Sequence, residues 1–254
     1  MIHSTRSARS VQALPILFED SDLLVIDEPS GIVVNNSDTT KGETTIQSLV
    51  SDKVEAPKEG VENEFTQRCG IVHRLDKETS GVLIIAKNKE SFENLQAQFK
   101  ERKVNKEYIS LTHGEIKPEA GEINVPVGRL PWNRERFGIL PGGREARTLY
   151  SVVESVGEGD KALTLVKLKP ETGRTHQIRV HLKYISHPIF ADPFYGGRKT
   201  SRNDRKILER VFLHASSISF NHPKTGERLN IESPMPKELQ EVLKMLKFKY
   251  GGEI

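Results

Sequence analysis

Apolar residues in this chain fall mostly into short runs. Ile16-Leu17-Phe18 and Leu23-Leu24-Val25-Ile26 flank the polar stretch Glu19-Asp20-Ser21-Asp22, which predicts two antiparallel strands joined by a turn. Val82-Leu83-Ile84-Ile85-Ala86 is continuous, the pattern of a strand buried on both faces. Strand-like segments follow at 106–112, 122–128, 146–154 and 162–168, with two more near 212–220 and 227–231. Helical spacing is rarer. Phe92, Leu95 and Phe99 share a face over 89–100, with Asn88 or Ser91 able to cap. Ile178, Leu182 and Ile185 predict a helix over about 176–186, opened by a turn at Gly173 and capped by Thr175. Arg179 and Lys183 lie one turn apart on it and are expected to present two charges together. An amphipathic helix over 236–248 closes the chain, and acidic residues 41–64 read as a surface excursion, partly helical near 45–50.

Strands dominate, hairpins are local and helices are few. The pattern predicts an α+β fold with a large mixed, mostly antiparallel sheet. At 254 residues the chain can bury a substantial core, as one domain or two lobes. The first fourteen residues carry three basic groups counting His3, and no acid. They read as a disordered tail before a domain over 15–254, although targeting peptides share this bias.

A formal net charge of +3 does not by itself point to nucleic acid; its distribution is more telling. Residues 195–210 hold six cations against Asp204 and Glu209, and residues 129–147 hold five arginines against Glu135 and Glu145. Interleaved with Trp132, Phe137, Phe194 and Tyr195, these segments suit a phosphate track with stacking points. Reversing the charge of Arg202 and Arg205 together is expected to weaken binding to such a phosphate backbone. Cys69, the single cysteine, excludes an internal disulfide and a thiolate metal site, and fits a reducing, cytoplasmic setting. It reads as a small, inert side chain. No apolar run is long enough to span a bilayer.

The densest chemistry is His73-Arg74-Leu75-Asp76-Lys77-Glu78-Thr79-Ser80-Gly81, set against the entrance of the buried strand at 82–86. A strand end holds side chains rigidly, and neighbouring guanidinium groups favour the charged form of a carboxylate. Asp76 could serve as nucleophile, base or anchor. Alternatively it makes a structural ion pair beside ordinary Thr-Ser-Gly turn chemistry. A hundred residues on, Glu171-Thr172-Gly173-Arg174-Thr175-His176-Gln177-Ile178-Arg179-Val180-His181-Leu182 has the same texture.

Together these two segments resemble the RluA-like family of RNA pseudouridine synthases. The likeness continues through His187-Pro188-Ile189, Asp192, Tyr195-Gly196 and Leu213-His214-Ala215, with Pro29-x-Gly31-x-Val33-Val34 and Lys106-x-Tyr108 upstream. It runs in order from about residue 15 to about residue 236. Three positions depart from the family pattern. Glu28 stands where lysine is common, and Ser186 and Ala191 stand where glycine is common. The first reverses a charge near the cleft, and the other two suggest altered loop geometry.

The resemblance implies a pseudouridine synthase fold, one mixed sheet in two lobes with the catalytic cleft between them. It implies an isomerase that breaks the uracil–ribose bond, rotates the base and rejoins it through carbon, with no metal and no cofactor. Asp76, Tyr108 and Arg179 take the catalytic positions. Asp76 would act as nucleophile or eliminating base, Arg179 would pair with it, and Tyr108 would stack on the base. Arg74 would fill the space left by the flipped nucleotide, and Arg174, His176 and Gln177 would contact substrate. His73 reads as a structural hydrogen-bonding histidine. Substrate would be a stem-loop of ribosomal or transfer RNA, gripped by a monomer without a membrane or obligate protein partner. The small S4-type RNA-binding module of many relatives is expected to be absent. Two other classes stay open: a metal-dependent hydrolase using His73, Asp76, His176 and His181, and an RNA-binding protein without catalysis.

Overall fold

The computed structural model describes residues 14–36, 40, 42–55 and 63–251. The tail over 1–14 lies, apart from Leu14, outside the described residues. Eleven strands and six helices are defined within them.

The amino-terminal lobe starts with the hairpin β1 (Ile16–Glu19) and β2 (Leu23–Glu28), as the pattern predicted. β2 pairs antiparallel with β3 (Ser80–Ala86), whose seven residues are all buried. Helix α3 (Lys89–Lys100) follows, capped by the Asn88 side chain, which accepts from the Ser91 backbone N–H. Its Phe92 and Leu95 pack with Val25, Val82 and Ile84 on one face of the sheet. The other face is covered by α1 (Ile46–Leu49) and its neighbours, through Ile46 and Val50 against Leu24, Ile26, Leu83 and Ile85. Within the segment 41–64, the part around 45–50 is therefore no mere surface excursion: Ile46 is fully buried and plugs the core, while residues 41 and 56–62 lie outside the described residues. A short helix, α2 (Glu64–Arg68), ends at Cys69, whose half-buried thiol is pushed up in pKa by burial.

The second lobe contains β4 (Asn105–His113), β5 (Ala120–Asn124), β8 (Arg147–Val156) and β9 (Leu163–Pro170). The strand expected at 122–128 is split. Its second part belongs to β6 (Val127–Leu130), which forms a separate hairpin with β7 (Asn133–Ile139). Helix α4 (Gln177–Tyr184) and the closing α6 (Lys237–Tyr250) bury Ile178, Leu182, Leu239, Val242 and Leu246 against β4 and β9. A helix of about two turns, α5 (Arg198–Asp204), lies in the basic segment, where the pattern gave no helix.

The lobes meet at β10 (Leu213–Asn221), which pairs parallel with β3, antiparallel with β4 and, further along, with β11 (Arg228–Glu232). The sheet order is β1-β2-β3-β10-β4-β9-β8-β5, mostly antiparallel and not closed. At the parallel junction a Cβ on Gly81 would sit 2.2 Å from the Ala215 carbonyl oxygen, so only glycine permits this approach. The strand ends at β3, β4 and β10 open onto the cleft described next.

Three local expectations fail. Thr175 does not cap α4; His176 occupies that position with a left-handed backbone and makes no side-chain cap. Gly173 is not in a left-handed conformation, and the turn is tied instead by Gln177. Arg179 is buried whereas Lys183 is exposed, so the two charges are not presented together.

Candidate active site

A cleft of roughly 590 Å³ lies at the junction of the lobes, walled by residues 72–76, by β4 near Lys106 and Tyr108, and by residues 170–179. The loop carrying Asp76 is clamped from several sides. The His73 ring accepts the Ile84 backbone N–H through Nε2 at 3.0 Å and packs on Phe99, so it is the structural histidine expected. Burial lowers its pKa to about 3, so it is neutral there. The Thr79 N–H returns to the Asp76 carbonyl at 2.8 Å, and Gly31 N–H donates to the Lys77 carbonyl. Glu78 accepts from both guanidinium ends of Arg205 and from Val211 N–H. A strand entrance braced in this way fixes the Asp76 side chain.

That side chain, 23% exposed, faces Arg179 with Nη1 to Oδ2 at 3.3 Å. Arg179 is itself held by fully buried Asp192, through Nε at 2.8 Å and Nη2 at 2.9 Å. Asp192 also accepts the Phe194 and Tyr195 backbone N–H groups. The guanidinium lies over the rings of Phe194 and Tyr195. Burial acts against its charge, but the Asp192 hydrogen bonds and the Asp192 and Asp76 charges outweigh it and raise the pKa. Arg179 is thus permanently cationic, with one edge committed to Asp192 and the other turned to Asp76.

His176 completes this wall. The Tyr195 hydroxyl accepts from Phe137 N–H at 3.0 Å and shares a hydrogen bond of 2.9 Å with His176 Nδ1. The other ring nitrogen, Nε2, lies 4.0 Å from Asp76 Oδ2. Burial foremost lowers the His176 pKa and keeps the ring neutral. Tyr108 lines the cleft, and its phenol pKa is raised first by burial and then by the Asp76 and Glu28 charges. The phenol is therefore protonated at neutral pH.

Asp76, Tyr108, Arg179, Arg74, Arg174 and His176 are all brought to this cleft. Gln177 borders it too, but its amide is fully engaged. Oε1 accepts from Thr172 and Arg174 N–H, and Nε2 donates to the Arg147 carbonyl and Thr148. It fixes the turn and has nothing left for a substrate, which corrects the expected role. Arg174 donates through Nε to the Glu145 carbonyl, and the Arg144 and Arg102 charges add to burial in lowering its pKa. Crowded cations of this kind are relieved by an anion.

The basic segment 195–210 serves differently from the expectation. Arg205 grips Glu78, and buried Arg210 bonds Glu238, Ser80 and the Leu213 carbonyl. Reversing Arg205 would break the brace of the loop that carries Asp76, so it does not isolate RNA binding. Asp192, Lys106 and Arg102 are the site-forming residues that sequence reasoning left without a role, while Arg144 comes from the basic segment 129–147. Asp192 stood in the matched pattern, and that position was the one signal for it. Lys106 donates to the Thr172 carbonyl, and burial pushes its pKa down to about 8. The metal-hydrolase set does not assemble, because the His181 ring bonds Thr148 and the Val125 carbonyl while His73 holds β3. The group with ligand-like spacing among the described residues, Asp20, Asp22 and His222, lies outside the cleft.

Ser186 and Ala191, where the family resemblance led to an expectation of glycine, both have positive φ, 69° and 62°. The loops thus keep a backbone that glycine favours, and these side chains bear it with strain.

The model of the RNA pseudouridylate synthase family matches residues 22–184. An RNA pseudouridine synthase of Bacillus subtilis, YlyB, is 37% identical over 234 residues, covering 92% of this chain and 73% of that protein. Ribosomal large subunit pseudouridine synthase D of Nitrosomonas europaea is 37% identical over 245 residues, covering 94% of this chain and 68% of that protein. The solved structure of human RNA pseudouridylate synthase domain containing 1 superposes with a TM-score of 0.68 at 27% identity, covering 94% of this chain and 97% of that one. The chain belongs to the RNA pseudouridine synthases of the RluA type. It is an isomerase acting on uridine in RNA. No helix among the described residues is long and apolar enough to cross a membrane.

Proposed function

We propose that the chain isomerises particular uridines in a structured stem-loop of ribosomal or transfer RNA, with Asp76 as the reacting group. The observation that carries this is the Asp76–Arg179–Asp192 line in the cleft wall, with Tyr108 lining the same cleft. A carboxylate fixed against a guanidinium that cannot lose its proton is suited to work at a sugar carbon in a partly dry site.

A uridine must leave its stack for its N1–C1′ bond to meet Asp76. Asp76 then acts on the sugar, as nucleophile at C1′ or as base at C2′, and the N1–C1′ bond breaks. The uracil turns while stacked on Tyr108, since stacking leaves in-plane rotation free. C5 bonds to C1′ as the Asp76–C1′ ester bond breaks or, on the base route, as the proton taken from C2′ is given back. The C5 proton is lost and N1 gains one, so Asp76 is regenerated and atoms and charge balance without a co-reactant. Arg74, exposed at the cleft and without an ion pair among the described residues, fills the vacated stack. Arg102, Arg144 and Arg174 hold flanking phosphates. The β6–β7 hairpin, with Trp132 76% exposed at its turn and Arg129 over Phe137, offers a stacking surface beside them. The working unit is one chain, over residues 15–254, in the cytoplasm.

The name of the Nitrosomonas relative makes large-subunit ribosomal RNA the first substrate to test. Pseudouridines should be mapped in total RNA from a strain lacking the gene, then from strains complemented with the wild-type gene or with Asp76→Asn. One or a few positions should vanish and return only with the wild type. An unchanged map, or restoration by Asp76→Asn, would overturn the proposal and leave an RNA-binding role.

A further inference from the structure

Glu28 ends β2 immediately behind the catalytic loop. It lies opposite Gly81 in the β2–β3 register, and the residues after it are stitched to the loop. Ser30 Oγ donates to the Glu78 carbonyl at 3.1 Å, and Gly31 N–H donates to the Lys77 carbonyl at 2.6 Å. The Glu28 side chain is fully buried, and neither carboxylate oxygen has a hydrogen-bond partner among the described residues. Its neighbour Asp27, by contrast, accepts from the Ser233 hydroxyl.

An ionised carboxylate with no donor in a dry wall costs several kcal/mol, so such a group stays protonated. Burial raises its pKa well above the ordinary range; Arg74 opposes this, and Asp76 adds to it. Tyr108, from β4, is the other titratable group coupled to it, and Gly81 on β3 brings no side chain. The wall behind Asp76 therefore holds a second acid that is not among the residues lining the cleft and cannot touch the substrate.

We propose that Glu28 is a positioning residue for the isomerisation: as the neutral acid it leaves Arg74 free for RNA and Arg179 as the cation paired with Asp76, and its ionisation turns the cleft off. Once charged, Glu28 becomes a buried anion in need of a donor. Arg74 is the unpaired cation within its electrostatic reach, and drawing Arg74 inward removes a contact from the RNA. A second negative charge also then stands behind Asp76. The device rests on the proposed role of Asp76 and Arg74, and its test separates the two.

Protein labelled with ¹³C-carboxyl glutamate should be titrated by NMR, and RNA affinity and single-turnover conversion measured across the same pH range for wild type and Glu28→Gln. One glutamyl carboxyl should titrate well above all others and be missing from Glu28→Gln. As it ionises, wild-type affinity and rate should fall about tenfold or more, the worth of one charge-assisted hydrogen bond. The high-pH to neutral-pH ratio for Glu28→Gln should stay flat through that range. Glutamyl carboxyls that all titrate together would overturn the inference, as would parallel profiles for the two proteins. If no RNA is converted at any pH, the proposed function fails, while the NMR titration and the RNA-affinity profile still decide the role of Glu28. If Glu28→Gln does not fold, the wild-type titration decides alone.

Discussion

Replacing Asp192 by asparagine probes the support of the site without touching a group that meets the RNA. The side chain is fully buried and accepts four N–H groups, two from Arg179 and the backbone N–H groups of Phe194 and Tyr195. Asparagine keeps the shape and one oxygen, which serves the two backbone groups through the Oδ1 position. Its amide nitrogen then faces Arg179 Nε–H, donor against donor, and the buried guanidinium loses its main counter-charge. Breaking a buried pair from one side costs about 3–5 kcal/mol. For a chain of this size that lowers Tm by about 6–20 °C. Arg179 then keeps only the Nη2 bond to the remaining oxygen and its contact with Asp76, and a displacement of about 1 Å at a reacting centre costs on the order of a hundredfold in rate. Thermal unfolding and single-turnover conversion read the two effects. The double variant Asp192→Asn/Arg179→Gln removes the unpaired charge, so it should regain much of the stability and none of the activity. A Tm within about 2 °C of wild type for Asp192→Asn, or a double variant as unstable as the sum of its parts, would refute the reasoning.

Other consequences are more local. Ser186→Gly relieves an exposed left-handed residue and should raise stability by about 0.5–1 kcal/mol in urea unfolding, the roughly 1–2 kcal/mol ascribed to that strain less the roughly 0.5–1 kcal/mol of backbone freedom that glycine loses on folding. Arg144→Ala with Arg174→Ala should weaken RNA binding and make the salt slope of log K shallower by about two, with Tm little changed. His73 is neutral in the fold with a pKa of about 3 against 6.5 when unfolded, so the unfolded chain binds the extra proton between those values. Stability from this group is complete above about pH 6.5 and lost as pH falls toward 3, up to about 5 kcal/mol in all. His73→Gln should flatten the acid limb of the stability profile relative to wild type, and identical limbs would exclude this source.

Much of the architecture was legible because its signals are local. The apolar run at 82–86, the Asn88 cap and the stripe Ile178, Leu182, Ile185 fix β3, α3 and α4 through period and capping alone. What escaped depends on contacts far apart in the chain. Cation clustering at 195–210 looks like a solvated track in one dimension, yet Arg205 and Arg210 are consumed by Glu78, Ser80 and Glu238. Gln177 in a polar motif looks like a substrate contact until four partners are found for its amide. Ile46 sits in a polar, acidic stretch whose composition hides one buried plug. The site residues Asp76, Tyr108 and Arg179 were named from the resemblance, and their meeting in one cleft is a tertiary fact. Asp192 shows the gap most clearly: burial of Arg179 demands an anion, but burial is not visible in a helix whose Lys183 neighbour is exposed.

The most direct measurement compares wild type and Asp76→Asn on the RNA identified by mapping, reading pseudouridine formed per enzyme together with RNA affinity. The account predicts complete conversion by the wild type and none above background by Asp76→Asn, with affinity retained within about threefold, since losing one carboxylate removes no phosphate contact. Conversion by Asp76→Asn at a rate near wild type would contradict it.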